Sequence, residues 1–172
     1  MSLTEDSAAG KQKAFTDAYK PLHDRLVRFV QTMIWNKEDV KDIVAETLLK
    51  SYEKFETIRH PDALLSFMFT TSSRLVYKRQ NAKKIMTEMP DYLLDTLVDG
   101  SATAEHKLEL KELYEALQEL PEKQRETVVM FEISGLSLNE IMEIQGDSLS
   151  AVKSRLTRGR EKLSEILEQE TV

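Results

Sequence analysis

Few side chains in this 172-residue sequence could carry out covalent chemistry. Its three histidines, His23, His60 and His106, lie far apart. None sits in an HExxH pair, beside a phosphate-cradling glycine loop or near a nucleophile elbow. Cysteine is absent, which removes thiolate ligands, disulfides and cysteine nucleophiles together. The same absence points to a reducing, cytoplasmic compartment. Carboxylates are plentiful, but they recur on the polar faces of amphipathic stretches, and no spacing makes two of them converge on a substrate. The expectation is a chain with no catalytic residue, no metal and no cofactor. The side chains left to act on a partner are charged ones.

The net charge of −6 conceals where the cations lie. Residues 66–84 carry +5 and residues 147–160 carry +3, while residues 85–120 between them carry −7. A polyanion responds to such local fields more than to the total. In the second island, small polar residues precede arginines, and no acid occurs between Ser148 and Arg160. Short side chains allow close approach to a major groove, while Arg and Lys reach phosphates or guanine edges. The duplex-reading candidates are Ser150, Ala151, Lys153, Ser154, Arg155 and Arg158, all expected to face outward. The first island interleaves Phe67, Phe69 and Tyr77 with Arg74, Lys78, Arg79, Lys83 and Lys84. Cations follow a backbone and aromatic rings hold unstacked bases, a combination that suits a melted strand. Phe67 and Phe69 are core candidates as well, whereas Tyr77 is expected to be exposed. Asp42 and Glu46, four residues apart, share one side of a helix and are either a contact for a basic partner or solvated surface.

These residues need helices to hold them. Pro21 can open a first helix whose face is Leu22, Leu26, Phe29, Val30 and Met33. A second runs from about Lys37 to Glu56 with the stripe Val40, Val44, Leu48, Tyr52 and Phe55, and a third from Leu64 to about Lys84. Pro90, Gly100 and the acids Asp91, Asp95 and Asp99 mark residues 85–103 as a linker with at most a turn at Tyr92–Leu97. The acidic charge of residues 85–120 is expected to compete with DNA for both basic islands. Leu110, Leu113, Leu117 and Leu120 then stripe a helix ended by Pro121. Another carries Val128, Val129 and Phe131 up to Gly135. Ser137 caps Leu138–Ile144, Gly146 breaks it, and Ser148 or Asp147 caps a last helix to about Leu167. Ile141 and Ile144 should meet Val152 and Leu156, the small core of a helix-turn-helix. The fold class is all-α: helical domains at 11–84 and 104–170 joined by the linker 85–103. Residues Met1–Gly10 have two acids and no apolar core, unlike a signal peptide. No apolar stretch approaches the ~18–20 residues that span a bilayer, so direct membrane insertion is not expected.

The segment GLSLNEIMEIQGDSLSAVKSRLTRGREKL (135–163) closely resembles the C-terminal promoter-reading region of RNA polymerase sigma factors of the sigma-70 family, in the extracytoplasmic-function class. ALQELPEKQRETVVMF (116–131) resembles the helices leading into it, and EDVKDIVAETLLKSYEKF (38–55) resembles the helix by which that family holds RNA polymerase. The resemblance implies promoter-specific initiation with core RNA polymerase and promoter DNA as partners, and an anti-sigma factor as regulator. It implies that Asp42, Glu46, Thr47 and Lys50 bind polymerase and that the 148–160 set reads the −35 element as duplex. It implies further that Phe69, Arg74, Tyr77, Lys78, Arg79, Lys83 and Lys84 take the −10 element as melted strand, without ATP hydrolysis.

The sequence departs from the family at several places. Phe67, Arg74 and Lys78 stand where tryptophan, asparagine and aspartate are frequent, Met142 and Gly159 stand where alanine is usual, and Gln145 replaces a leucine-like residue. Two alternatives stay open: a stand-alone helix-turn-helix regulator, which would leave the first domain unexplained, and a degenerate sigma-like interaction protein.

Overall fold

The computed structural model describes residues 2–58, 60–83, 86 and 88–171, with side chains from Ser7 onward, and contains no strand among them. In chain order the helices are α1 (Ser2–Tyr19), α2 (His23–Met33), α3 (Lys37–Lys54), α4 (Pro61–Ala82), α5 (Asp91–Leu97), α6 (Ala104–Glu119), α7 (Glu122–Val128), α8 (Leu138–Gln145) and α9 (Leu149–Glu170). The all-α expectation holds. No helix among the described residues is long and apolar enough to cross a membrane.

Local chemistry sets most of the boundaries. Asn36 accepts from the Asp39 amide at 3.0 Å and opens α3, and Thr103 accepts from the His106 amide at 3.1 Å and opens α6. Ser137 and Glu140 form a reciprocal capping box at the start of α8. Gly146, at φ 67°, ends α8 in the left-handed region that a Cβ disfavours. Two residues later Ser148, rather than Asp147, caps α9 through the Ala151 amide at 3.2 Å. A π-helical turn, Val129–Ile133, follows α7 and carries the chain to Gly135, which also has positive φ.

Helix α1 lies ahead of the first helix expected from the sequence, because its residues show little apolar periodicity. Phe15 anchors it instead, meeting the rings of Tyr52 and Phe55 edge-on at 5.4 Å each. On α3 the buried face is rotated from the expected stripe. Val40 and Ile43 are buried together with Thr47 and Ser51, while Val44, Leu48 and Tyr52 flank them half-buried. The Thr47 and Ser51 hydroxyls donate to the carbonyls one turn back at 2.7 Å, so burial leaves neither unsatisfied. α3 packs along α4, which buries Ser72 and Ser73 in turn. Thr47 is therefore a core residue and not the polymerase contact inferred from its position.

Residues 91–97 form a full helix. Leu93 of α5 is buried with Met89, Trp35 and Tyr114, and the Tyr92 hydroxyl donates to the Trp35 carbonyl. The acids of 85–120 pair with neither basic island among the described residues; Glu88 and Glu115 meet Lys111 of α6 instead. The cations that are paired have other partners: Asp39 holds Arg79 and Lys83, Asp147 holds Arg155 and Glu132 holds Arg160.

The helices before and after this segment share one apolar cluster, from Leu26, Phe29, Met68 and Phe69 to Val129, Met130 and Ile141. α2 packs on the π turn and α4 on α8. Arg25 of α2 clasps the same junction, donating to the Ser134 and Gly135 carbonyls at 3.1 Å and to Glu140 at 3.4 Å.

Candidate nucleic-acid interface

The helix-turn-helix is built as its spacing requires. Ile141, Ile144, Val152 and Leu156 are all buried, which fixes the crossing of α8 and α9. Ser150, Lys153, Ser154 and Arg158 are exposed on α9, and Ala151 is half-buried. Neither Lys153 nor Arg158 has an ion-pair partner among the described residues. A groove of about 420 Å³ runs beside them, lined by Lys123 and Gln124 as well as Ser154, Arg155 and Arg158.

Arg155 differs from its neighbours. Its guanidinium donates through Nη1 to Gln145 Oε1 and through Nη2 to Asp147 Oδ2, the latter at 2.7 Å, and its side chain is 19% exposed. It borders the groove but does not stand free, contrary to the outward placement expected of it. Arg160 is held by Glu132 and lies over the Phe131 ring, 5.2 Å from its centroid.

Gly159 also has a structural reason. A Cβ there would sit 2.6 Å from Val128 Cγ2, so the glycine lets α9 press against α7. Met142 is half-buried and packs against the core.

Helix α4 divides its candidates. Arg74 and Lys78 are exposed and unpaired among the described residues. Arg79 and Lys83 both reach Asp39, at 2.6 and 3.0 Å, so they share one buried carboxylate. Phe69 is fully buried, its ring 5.3 Å from that of Phe29. It is core, and no base can stack on it. Phe67 is half-buried. Tyr77 turns inward, contrary to expectation, and donates its hydroxyl to Glu126. Burial, and then the Glu126 charge, push that hydroxyl's pKa well above its ordinary value. Ser66 and Thr70 of α4 reach Glu143 and the Ile144 carbonyl of α8. Lys84 lies outside the described residues.

On α3, Asp42 and Lys50 are exposed and Glu46 is partly so. Glu46 pairs with Lys50 at 3.0 Å, and Asp42 lies 3.7 Å from Arg79. Leu49, beside them, is 59% exposed. The sequence signal was available, because Leu49 falls off every apolar stripe of its helix. An apolar groove of about 600 Å³ adjoins this helix, floored by Val27, Val40, Val44 and Leu48 and edged by Tyr92.

Comparison with known proteins agrees with this geometry. Residues 110–163 match the family described as Sigma-70, region 4. RNA polymerase sigma factor SigV of Bacillus subtilis (strain 168) is 30% identical over 131 residues, covering 76% of this chain and 77% of that one. ECF RNA polymerase sigma factor SigW of the same organism is 28% identical over 171 residues, covering 90% and 89%. Two solved structures share the fold. CnrH, in complex with the cytosolic domain of CnrY, aligns with a TM-score of 0.71 at 22% identity over 96% of this chain and 94% of that one. Sigma factor RpoE of Bartonella quintana, in complex with the anti-sigma factor NepR, aligns with a TM-score of 0.66 at 21% identity over 91% and 98%.

Proposed function

Because the chain belongs to the RNA polymerase sigma factors of the sigma-70 family, in the extracytoplasmic-function class, and directs promoter-specific transcription with core polymerase, we propose the following division of labour along it. The segment 104–170 places α9 in the major groove of the −35 element, with Ser150, Ala151, Lys153, Ser154, Arg155 and Arg158 toward the DNA. The segment 11–84 holds polymerase through Asp42, Glu46, Lys50 and the exposed Leu49. It takes the −10 element as melted strand along Arg74, Lys78, Arg79 and Lys83, with residues 85–103 as the connection. The protein acts in the cytoplasm, supplies no covalent chemistry itself, and is held in check by an anti-sigma factor, as one structural neighbour is seen with such a partner.

The observation that carries this reading is the free basic start of α9. Lys153, Ser154 and Arg158 stand exposed on a helix whose opposite side is locked by Val152 and Leu156. Fixed on one side and cationic on the other, such a helix is suited to docking on a duplex.

Run-off transcription on genomic promoter fragments, with purified chain and core polymerase, tests it. Promoter-specific initiation supports the reading. Duplex binding that needs no polymerase would point to a stand-alone regulator. Polymerase binding without initiation would point to a degenerate sigma-like protein.

A further inference from the structure

Five residues form one directed chain of hydrogen bonds that runs from α7 through the turn of the helix-turn-helix to Arg155 of α9. The buried Thr127 hydroxyl donates to the Lys123 carbonyl at 2.8 Å, which spends its single proton. It can then only accept from Gln145, and Gln145 Nε2 lies 3.0 Å away. Gln145 Oε1 also lies 3.2 Å from that hydroxyl, but with its proton on Lys123 the hydroxyl has none to offer, so Oε1 takes its proton from Arg155 Nη1, a group that can only donate. Asp147 takes Nη2 of the same guanidinium at 2.7 Å. Two donors of the five-donor fork are thereby committed, and Arg155 borders the groove that Ser154 and Arg158 also line. Gln145 and Asp147 bracket Gly146, the glycine of the turn, so the turn itself carries both acceptors.

We infer that Gln145 and Asp147 are specificity-determining positioning residues, which set the orientation of Arg155 and neutralise its charge so that it selects a base rather than a phosphate. The inference rests on the reading of α9 as the −35 helix. A free arginine is attracted to any phosphate and adds to a salt-dependent affinity blind to sequence. An arginine already paired with a carboxylate gains little from a phosphate. Its remaining donors are aimed at one place, and base edges reward fixed geometry. Lys153 and Arg158, unpaired on the same helix, keep the phosphate-seeking role. One helix thus carries cations of two kinds, distinguished by whether the turn supplies them with acceptors.

The test uses the full chain assembled with core polymerase on a promoter library randomised across the −35 element. Asp147→Ala and Gln145→Leu are expected to keep polymerase binding and to flatten the preference at one base position roughly tenfold, the weight of one good base contact. Asp147→Ala should also steepen the salt dependence of promoter binding by roughly one counterion, because a freed arginine finds a phosphate. Asp147→Asn keeps an acceptor oxygen and should restore most of the preference while steepening the salt dependence. A merely structural role would lower thermal stability and leave both the base profile and the salt slope as they were.

If Asp147→Ala leaves the profile and slope unchanged while Arg155→Ala flattens the profile, the positioning role is overturned and the reading of α9 survives. If Arg155→Ala, Lys153→Ala and Arg158→Ala all leave −35 selection untouched, the reading of α9 is wrong, and this inference falls with it.

Discussion

The Tyr77 hydroxyl donates to the Glu126 carboxylate, joining the helix proposed for the melted strand to the one that leads into the helix-turn-helix. Glu126 is 2% exposed, and its other neighbour is the Lys123 ammonium at 3.7 Å. The carboxylate is buried and depends on the tyrosine. Tyr77 therefore serves the junction between the halves in this conformation, and it can meet a base only once that junction opens.

Tyr77→Phe keeps the ring and deletes the proton donor. A hydrogen bond to a charged group is worth ~1.5–3 kcal/mol, and that is the expected loss of stability in chemical or thermal unfolding. The pH dependence has a definite sign. The folded protein holds the hydroxyl's pKa above the ordinary 10.0, so the contribution is fully present below about that pH and fades as the pH rises beyond it. Wild type and Tyr77→Phe should converge in stability above that point. A constant difference from pH 8 to 11 would show that the proton has no part in it.

Gly159→Ala should gain nothing from helix propensity. Alanine is worth ~1 kcal/mol over glycine in a helix interior, but a Cβ 2.6 Å from Val128 Cγ2 forces a branched side chain to move. The net is expected to be a loss of up to ~2 kcal/mol. In a Val128→Ala background the clash is gone, and the same substitution should become stabilising. Equal effects in the two backgrounds, measured by a double-mutant cycle, would remove the proposed contact.

The sequence disclosed the helix-turn-helix almost completely, because its caps, its glycine and its apolar spacing are local signals that agree with one another. It misled where polar residues are buried. Thr47 was assigned to a polymerase contact, yet Thr47, Ser51 and Ser72 are buried, and each satisfies its hydroxyl on its own helix where α3 and α4 pack. Phe69 could have been stacking platform or core, and only the ring of Phe29 decides. The partners of Arg79, Lys83 and Tyr77 lie 40 or more residues away, beyond the reach of any helical periodicity.

Reversing Asp42 and Glu46 to lysine should abolish binding to core polymerase while leaving the fold intact by circular dichroism, since lysine is also a good helix former. Both residues are on the outer side of α3, so no buried atom is removed. Glu46 would lose its pairing with Lys50, an exposed i,i+4 pair worth only ~0.3–0.5 kcal/mol. Leu49→Ser on the same face should weaken binding without any charge change. Undiminished affinity in the double reversal would reduce this surface to solvated helix.

Lys153 and Arg158 should be separable from Arg155 by salt. Both are exposed and unpaired among the described residues, so each is free to neutralise a phosphate and release a counterion when α9 enters the groove. Replacing either with alanine should lower promoter affinity of the assembled polymerase complex on every −35 sequence alike. It should also reduce the slope of log affinity against log salt by ~0.9. The effect should shrink as salt rises, because what is lost is the salt-sensitive part of the binding. Arg155→Ala, by contrast, removes a side chain whose charge Asp147 already balances, and should change base preference with little change in slope. If Arg158→Ala alters the preferred sequence and leaves the slope alone, Arg158 reads a base, and the separation of roles along α9 has been drawn in the wrong place.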